Sequence, residues 1–523
     1  MIIAELVRRA FATHAAQPAI SAGDASLTYA QVADRSFRLV NALRERGIRP
    51  GDRVATLASN NITSLELITG LALGGYSRTA LHAMNSGEAH REMLDASGAR
   101  VLFTTMEFYL RFRTELSAAP ALEYVIVLGA TEPDLLDYES VLGASDPSDA
   151  RVPVTADDIL HLAYSSGSTG TPRASMHTHE SWMAVTVDHA TMLPRISAAD
   201  VYLAAAPLTH AASTVLYLLL GRGASIQILE HFDPVDALSL IESKRCTLTV
   251  MVPTMLASLA THPEVSRFDL SSMRAVVYAG APISVATARA AQQALGDVLF
   301  QTYGQSECLP VSCLTPADHA LGVATDERIL TSAGRPCLNA EVTIVDDEGR
   351  PVGAGQVGEI LVSTLGRMRG IFGDPVATAE RITADGFVRT NDIGYLDERG
   401  LLFVVDRKND MIISGGFNIW PAEIETALLH HPDVVEAIAI GIPHPRWGET
   451  PVALVVTRAG AAVDADELIE LCKSEIGSMK KPTEILLRTE PLPRNEFGKL
   501  SRRSLREQFW PATATAARQV SGA

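Results

Sequence analysis

Apolar positions recur along the chain in two rhythms, and the change from one to the other divides it. Between about Asp158 and Glu307, short β-branched or apolar runs (ILHLAYSS, VYLAAAP, TLTVMVP, RAVVYAG, VLFQTYG) alternate with amphipathic segments such as PVDALSLIESKR and VATARAAQQALG. Runs that are apolar throughout need cover on both faces, so the alternation predicts parallel βαβ units with helices on both sides of a sheet. DRVATLAS and RVLFTT, around a helical LELITGLALGGY, extend the same rhythm toward the N-terminus. In MIIAELVRRAFATHAAQPAI the charges of Glu5, Arg8 and Arg9 break up the apolar residues, which predicts an amphipathic helix and not a signal peptide.

After about Leu330 the pattern shortens. AEVTIVDDEGRPVGAGQVGEILVS alternates around DDEG and GAGQ, which predicts a small antiparallel sheet or distorted barrel. A last change falls near VVDRKNDMIISGG, beyond which PAEIETALLHHPDVVEAIAIGIP and ELIELCKSEIG predict a compact α+β unit of about 110 residues. The expected fold is therefore α/β, with a large N-terminal domain over residues 1–405 and a small C-terminal domain over 406–523. The last stretch, PATATAARQVSGA from about residue 511, is small and polar enough to be disordered.

Composition narrows the ligands. With 523 residues, 47% hydrophobic and 20% charged, the chain is ordinary for a globular protein and long enough for more than one core. Its 44 Lys+Arg against 61 Asp+Glu give a net charge of −17, which argues against a general nucleic-acid or anionic-membrane surface. A polyanionic ligand must then meet a local positive patch. No apolar run approaches the roughly 18 residues that a membrane span needs. The five cysteines (Cys246, Cys308, Cys313, Cys337, Cys472) are odd in number and lack CxxC spacing, which disfavours a zinc site or disulfide framework and points to a reducing cytoplasm.

Against that acidic background, YSSGSTGTPRA (Tyr164 to Ala174) concentrates hydroxyls and glycines behind an apolar run and ends on Arg173. Backbone N–H groups approach a phosphate closely only where side chains are small, so the loop suits terminal phosphates, although a solvated turn needs the same residues. It is no Walker loop: Gly170 precedes Thr171-Pro172 where Lys and then Ser/Thr are required, which disfavours an ordinary kinase or motor ATPase. PLTH (Pro207 to His210), AGAP (Ala279 to Pro282) and YGQSE (Tyr303 to Glu307) also follow or close predicted strands. Ligands of parallel α/β sheets bind at the carboxyl ends of the strands, so these four loops are expected to line one crevice. Tyr303 offers a ring to a base and Glu307 a carboxylate to Mg2+, while a core tyrosine and a surface glutamate are the plainer alternative. Asp392 in VRTNDIGYL could take two ribose hydroxyls or cap a turn. Lys499 follows Gly498 in NEFGKL, where a solvated lysine is equally in keeping.

In this order the motifs resemble the adenylate-forming superfamily of acyl- and aryl-CoA ligases, luciferases and adenylation domains. The resemblance runs from LTYAQVADRSFRLVNALRERGIRPGDRVA (Leu27 to Ala55) to PRNEFGKLSRR (Pro493 to Arg503), nearly the whole chain. It implies that a carboxylate attacks the α-phosphate of ATP, pyrophosphate leaves, and the acyl-AMP then passes its acyl group to a thiol. Bringing two anions together makes the first barrier mainly electrostatic. The resemblance puts Ser165, Ser166, Gly167, Ser168, Thr169, Gly170 and Arg173 on the β- and γ-phosphates, and Gly280, Ala281, Pro282 and Tyr303 on adenine. Glu307 would hold Mg2+, and Asp392 with Arg407 the ribose. Lys499 matches the catalytic lysine, which implies a mobile small domain whose closure completes the site. The hinge falls on Asn409, the loop presented to the thiol channel on SGGFN with Gly415 and Gly416, and Trp447 in RWGE joins them as an implied coenzyme contact. His210 matches a gate between the acid site and that channel.

Three positions depart from the family pattern: Pro172-Arg173-Ala174 replaces Pro-Lys-Gly, Ser306 stands where Thr is commoner, and Asn409 where Asp or Lys is usual. None removes a catalytic charge, though Arg and Lys differ in reach. Amino-acid-activating members carry an aspartate near PLTH, and this chain has His210-Ala211-Ala212-Ser213 there. DMIISGGFNIWPAEIE and RWGE look most like the aryl- and acyl-CoA ligase branch, so ATP, Mg2+ and coenzyme A are expected. The alternative is an enzyme that loads the pantetheine of a carrier protein; a non-catalytic nucleotide-binding regulator or a phosphotransferase would show no acid-dependent pyrophosphate release. Ala211, Ala212, Ser213, Ala279, Gly280 and Ala281 would leave room at the acyl pocket, and burial returns about 25 cal/mol per Å2, so a bulky hydrophobic acid is expected. Helix packing can demand the same alanines.

Overall fold

The computed structural model describes residues 1–165, 173–281, 283–415, 417–458, 460–493, 500 and 502–510; at 165, 211, 409, 417, 418 and 503 it describes the backbone only. The chain forms two compact units. One comprises Met1–Val342, Leu361–Thr390 and Arg399–Leu402; the other comprises Thr343–Ile360, Asn391–Glu398 and the chain from Phe403 onward.

The apolar runs of the first unit become two large sheets. In a nine-stranded sheet, Leu299–Gln305, Ala275–Ala279, Leu248–Met251, Val201–Ala204, Ser225–Ile228 and Pro18–Ala22 lie side by side and parallel. An antiparallel strand closes the edge at Ala25–Thr28, and Cys308–Leu314 with Arg335–Pro336 closes the other. An eight-stranded sheet runs Gly370–Ile371, Arg173–Thr178, Ile159–Ser165, Ser77–Ala80, Arg53–Leu57, Val101–Thr105, Tyr124–Leu128, Leu136–Asp137. The sequence pattern put ILHLAYSS in one rhythm with VYLAAAP. The structure corrects this: Ile159–Ser165 pairs with Ser77–Ala80 and, as an antiparallel hairpin, with Arg173–Thr178, so it belongs to the other sheet. Adjacent apolar runs look alike in sequence whichever sheet covers them, because strand pairing here joins segments far apart in the chain.

Helices cover these sheets where the sequence places caps and apolar stripes. Thr28 accepts from the Gln31 amide while the Gln31 side chain accepts from the Thr28 amide, a reciprocal cap that starts Tyr29–Glu45. Asp233 caps Pro234–Ser243, whose proline stands at a first-turn position that needs no N–H partner. The amphipathic helix Ile3–Thr13 buries Ile3, Leu6, Val7, Ala10 and Phe11 in the cluster that holds Leu216 and Leu219. Each large side chain so buried contributes about 1.5–3 kcal/mol.

A four-stranded sheet of Ala340–Val345, Gly358–Thr364, Val388–Leu396 and Leu402–Arg407 accounts for the short-strand region. The later part of the second unit is built on the antiparallel pair Val434–His444 and Gly448–Thr457, joined by Ile412–Ser414, Phe417–Ile419 and the parallel Glu484–Arg488. The edge strand Val434–His444 alternates: Ile438, Ile440 and Ile442 enter one cluster with Leu505 and Trp510, and Ala439 enters another with Ile424, Leu468 and Cys472. Helices Pro421–Leu429, Ala465–Ile476 and Arg502–Phe509 supply that cover. Among the described residues no helix is long and apolar enough to cross a membrane, and all five cysteines are buried and unpaired.

Candidate active site

Three of the predicted loops leave parallel strands of the nine-stranded sheet. PLTH follows Val201–Ala204, AGAP follows Ala275–Ala279, and YGQSE ends Leu299–Gln305. Because these strands are parallel, their carboxyl ends share one edge. The fourth loop connects the hairpin strands of the other large sheet: Ser165 pairs with Arg173 across it, and Arg173 is exposed. Ser166, Gly167, Ser168, Thr169 and Gly170 lie outside the described residues, as do Pro282, Gly416 and Lys499.

Glu307 sits in the tight reversal from Leu299–Gln305 into Cys308–Leu314 and is only 8% exposed. Its carbonyl accepts from the Met368 amide, and its carboxylate has Arg381 Nη2 at 3.6 Å. A buried carboxylate with one cation at that length keeps acceptor capacity for a hard cation, so the donor set fits Mg2+. Among the described residues no cluster of three His, Cys, Asp or Glu could hold a metal by protein ligands alone, which leaves phosphate oxygens to complete the shell. His177 Nε2 donates to the Ser306 carbonyl at 2.7 Å and fixes the same turn. Tyr303 stands half-buried in the strand before it, and Gly280, at φ +93°, turns the chain after Ala279 with Ala281 exposed beside it.

His210 closes the turn after PLT. Its Nδ1 is 2.9 Å from Thr209 Oγ1, its carbonyl accepts from Ser213 Oγ at 2.7 Å, and its ring meets that of His82 edge-on at 4.6 Å between centroids. Burial, aided by His90, lowers the His82 pKa to about 4, so the ring against His210 is neutral near neutral pH. Of the small residues expected at the acyl pocket, Ala212 is completely buried and its carbonyl accepts from Tyr202 Oη at 3.1 Å, which makes it a core residue; Ser213 lines a cavity.

In the second unit, Asp392 and Arg407 come together: Arg407 Nε is 2.7 Å from Asp392 Oδ1, with the carboxylate 3% and the guanidinium 53% exposed. Asn391, at φ +56°, turns the strand immediately before Asp392. Asn409 lies in the single helical turn Lys408–Asp410, anchored on one side by Lys408 Nζ to Glu359 Oε2 at 2.9 Å. Gly415, at φ +57°, donates its N–H to the Trp447 carbonyl, and a Cβ there would touch the indole at 3.6 Å. Trp447 is 40% exposed and stacks on His444 at 4.4 Å, so the two implied coenzyme contacts form one surface.

Sequence reasoning missed Arg381, His82, Glu359 and Arg502. Arg502 Nη2 meets Glu425 Oε1 at 2.8 Å, and Nη1 meets Asp410 Oδ2 at 3.0 Å and Asp406 Oδ1 at 3.5 Å. Burial raises the pKa of Asp406 and of Glu425, against the pull of Arg502. The only signal in the sequence was the arginine pair Arg502-Arg503 after GKLS, which a surface basic pair would equally explain.

Comparison with known proteins gives one answer. A family model of the AMP-binding enzyme matches residues 7–372, and one of the AMP-binding enzyme C-terminal domain matches 423–499. A feruloyl-CoA synthase of an Amycolatopsis species is 38% identical over 509 residues, which is 96% of this chain and 98% of that protein. A medium/long-chain-fatty-acid–CoA ligase of Mycobacterium tuberculosis is 33% identical over 520 residues, 96% of this chain and 89% of the other. The solved structure of the amide bond synthetase McbA from Marinactinospora thermotolerans aligns with a TM-score of 0.88 and 30% identity, over 97% of this chain and 100% of that one.

Proposed function

We propose that this chain, which belongs to the AMP-binding enzyme family and is an AMP-forming acid–thiol ligase, activates a bulky, largely apolar carboxylic acid and passes the acyl group to free coenzyme A. The observation that carries this reading is the near full-length likeness, across both family segments, to a feruloyl-CoA synthase, whose name specifies an aryl acid and a CoA product. The fatty-acid ligase likeness, 33% over 96% of the chain, supports a long or bulky acyl group in the same way.

In this mechanism residues 165–173 wrap the β- and γ-phosphates with backbone N–H groups and hydroxyls, and Arg173 supplies positive charge. Glu307 holds Mg2+, which when bound neutralises phosphate charge. Gly280, Ala281, Pro282 and Tyr303 receive adenine, and Asp392, oriented by Arg407, accepts from the ribose hydroxyls. The acid's carboxylate oxygen forms a bond to the α-phosphorus as the bond to pyrophosphate breaks. Lys499, outside the described residues, would offset the charge that builds up between the two anions. The second unit then turns about Asn409, and Gly415 and Trp447 line the path of the pantetheine arm. The thiolate sulfur attacks the acyl carbonyl, and AMP leaves with the electron pair of the broken acyl–phosphate bond. His210 separates the acid from the thiol path until that exchange. Gly415 suits the path because a side chain there would fill the space beside the indole.

Screening carboxylic acids for ATP-dependent pyrophosphate release, followed by mass spectrometry of the CoA product, tests the proposal. Aryl and long-chain acids should give pyrophosphate and an acyl-CoA. Acetate as the best substrate would overturn the bulky-acid reading, and transfer to a holo-carrier protein in preference to CoA would overturn the choice of acceptor.

A further inference from the structure

Arg502 opens the helix Arg502–Phe509, and its guanidinium reaches several elements of the second unit at once. Nη2 meets Glu425 on Pro421–Leu429, Nη1 meets Asp410 in the turn Lys408–Asp410 and Asp406 at the end of Leu402–Arg407, and Nε donates to the Ala439 carbonyl at 3.1 Å. The helix does not need this cluster in order to dock. Leu505 and Trp510 are buried with Ile438, Ile440 and Ile442, Leu500 and Phe509 pack against the same cluster, and Trp510 Nε1 donates to Glu484 Oε2 at 3.1 Å. Apolar contacts thus hold the body of the helix, and the ion cluster acts at its first residue, where the chain arrives from Lys499. Carboxylates gathered on one guanidinium must shed water and repel one another, so the cluster is a poor substitute for apolar packing as a source of stability, and what it provides is a fixed arrangement.

The partners of Arg502 are residues that border the site. Asp410 follows Asn409, and Asp406 precedes Arg407. Asp406 Oδ1 accepts from the Arg407 amide at 2.8 Å and Oδ2 from the Ala422 amide at 3.0 Å, so the carboxylate that meets Arg502 also sets the backbone from which Arg407 reaches Asp392. Lys499 lies outside the described residues, but it stands three positions before Arg502, and three residues of chain span at most about 11 Å. Taking the adenylation step and the Asn409 hinge of the reading above as given, we infer that Arg502 is a positioning residue for adenylation: through Asp406 and Asp410 it ties the segment that carries Lys499 to the hinge turn and to the ribose pair, so that the lysine and the ribose contacts arrive together. Arg502 touches neither ATP nor the acid and acts through Lys499. Its planar fork serves several carboxylates in a fixed geometry, which the point charge of a lysine does not. Misplacing a reacting group by about 1 Å can cost roughly 100-fold in rate, so a loosened anchor is felt in the step that Lys499 serves. The transfer to coenzyme A, which does not use the lysine, is spared.

The test uses the full-length wild type, Arg502→Lys, Asp410→Asn, Lys499→Ala and the double variant Lys499→Ala with Arg502→Lys. Pyrophosphate release and conversion of supplied acyl-AMP to the CoA thioester are measured apart, with the acids of the screen above, cinnamic and octanoic among them, and a urea midpoint is taken for each protein. Arg502→Lys should lower kcat for pyrophosphate release by at least about ten-fold while KM for ATP and the rate of the thioester step stay within about two-fold, the pattern of an interaction made only in the transition state of the first step. In the Lys499→Ala background the same change should add less than about two-fold, because residues that act as one unit are not additive. Asp410→Asn should show the same split at about three-fold, since Arg502 keeps its other partners. Equal loss in both half-reactions would make Arg502 a structural residue and overturn the inference. So would a second full loss in the Lys499→Ala background, or wild-type rates in Arg502→Lys. If Arg502→Lys does not fold, Asp410→Asn decides, because its side chain is 34% exposed and tolerates neutralisation: a loss confined to pyrophosphate release supports the inference, and an equal loss or none overturns it. A wild type that releases no pyrophosphate with any acid would instead overturn the ligase reading and, with it, the step that Arg502 is inferred to serve.

Discussion

Arg502 in the second unit meets Glu425 at 2.8 Å, Asp410 at 3.0 Å and Asp406 at 3.5 Å, whereas Arg78 in the first unit, less exposed still, meets no carboxylate among the described residues. The guanidinium is the same and its surroundings are opposite. Around Arg502, burial alone would lower the pKa, and Glu425, Asp406 and Asp410 outweigh it, so the cation is held firmly charged. Around Arg78, burial lowers the pKa and only Tyr217 opposes it. The paired arginine is a structural tie: it fixes the helix Arg502–Phe509, which begins just after Lys499, to residues that flank Asn409. A buried charge is thus read by its partners among the described residues.

The largest expected effect breaks the paired side. Arg502→Met leaves Asp406 and Glu425 as uncompensated acids and should destabilise the second unit by about 3 kcal/mol, the scale for removing one member of a buried ion pair. Urea unfolding of the full chain measures it, Arg502→Lys should recover part of the loss, and a change below about 1 kcal/mol would reduce the cluster to an ordinary surface pair. Next comes the intermediate case, Glu307, an acid with one cation at 3.6 Å. Glu307→Gln should raise the Mg2+ needed for half-maximal adenylation by about ten-fold, since an amide holds a hard cation poorly. An unchanged magnesium titration would leave Glu307 with a packing role only. The same substitution that breaks the Arg502 cluster should have the opposite sign at the other arginine: without substrate, Arg78→Met should stabilise the chain by about 1 kcal/mol, because an apolar side chain replaces an unpaired buried charge.

The smallest effect concerns the neutral imidazoles around the first-unit site. Burial lowers the pKa of His82, His177 and His179 to about 4 each, from 6.5. The unfolded chain therefore takes up protons first as pH falls, so the stability linked to these rings is present above about 6.5 and is lost progressively toward pH 4. Between pH 7.5 and 6.5 each should remove about 0.3 kcal/mol, visible as a lower urea midpoint at the lower pH. A flat profile would mean that the rings are solvated.

Much of this was legible in the sequence because local patterns carried it. The runs VYLAAAP, RAVVYAG and VLFQTYG became strands with their loops at one sheet edge, and Asp392 and Arg407, picked from separate motifs, meet at 2.7 Å. What stayed hidden depends on pairing between distant segments. Arg78 and His161 are neighbours only through the register of two strands, and nothing in SRTA marks an arginine that faces inward. Arg381 reaches Glu307 from a helix with no sequence link to YGQSE. Ala212 was ambiguous for a different reason: a small apolar residue serves a pocket wall and a tight core equally well, and here it serves the core.

That the chain activates an acid in one step and transfers it in a second is tested most directly by Lys499→Ala, with the two half-reactions assayed apart. Pyrophosphate release from ATP and the acid should fall by at least about 100-fold, the scale for losing one charge-stabilising donor. Conversion of a supplied acyl-AMP to the CoA thioester should remain within a few-fold of wild type. Equal loss in both half-reactions would contradict the division of labour between the two steps and return Lys499 to a structural role.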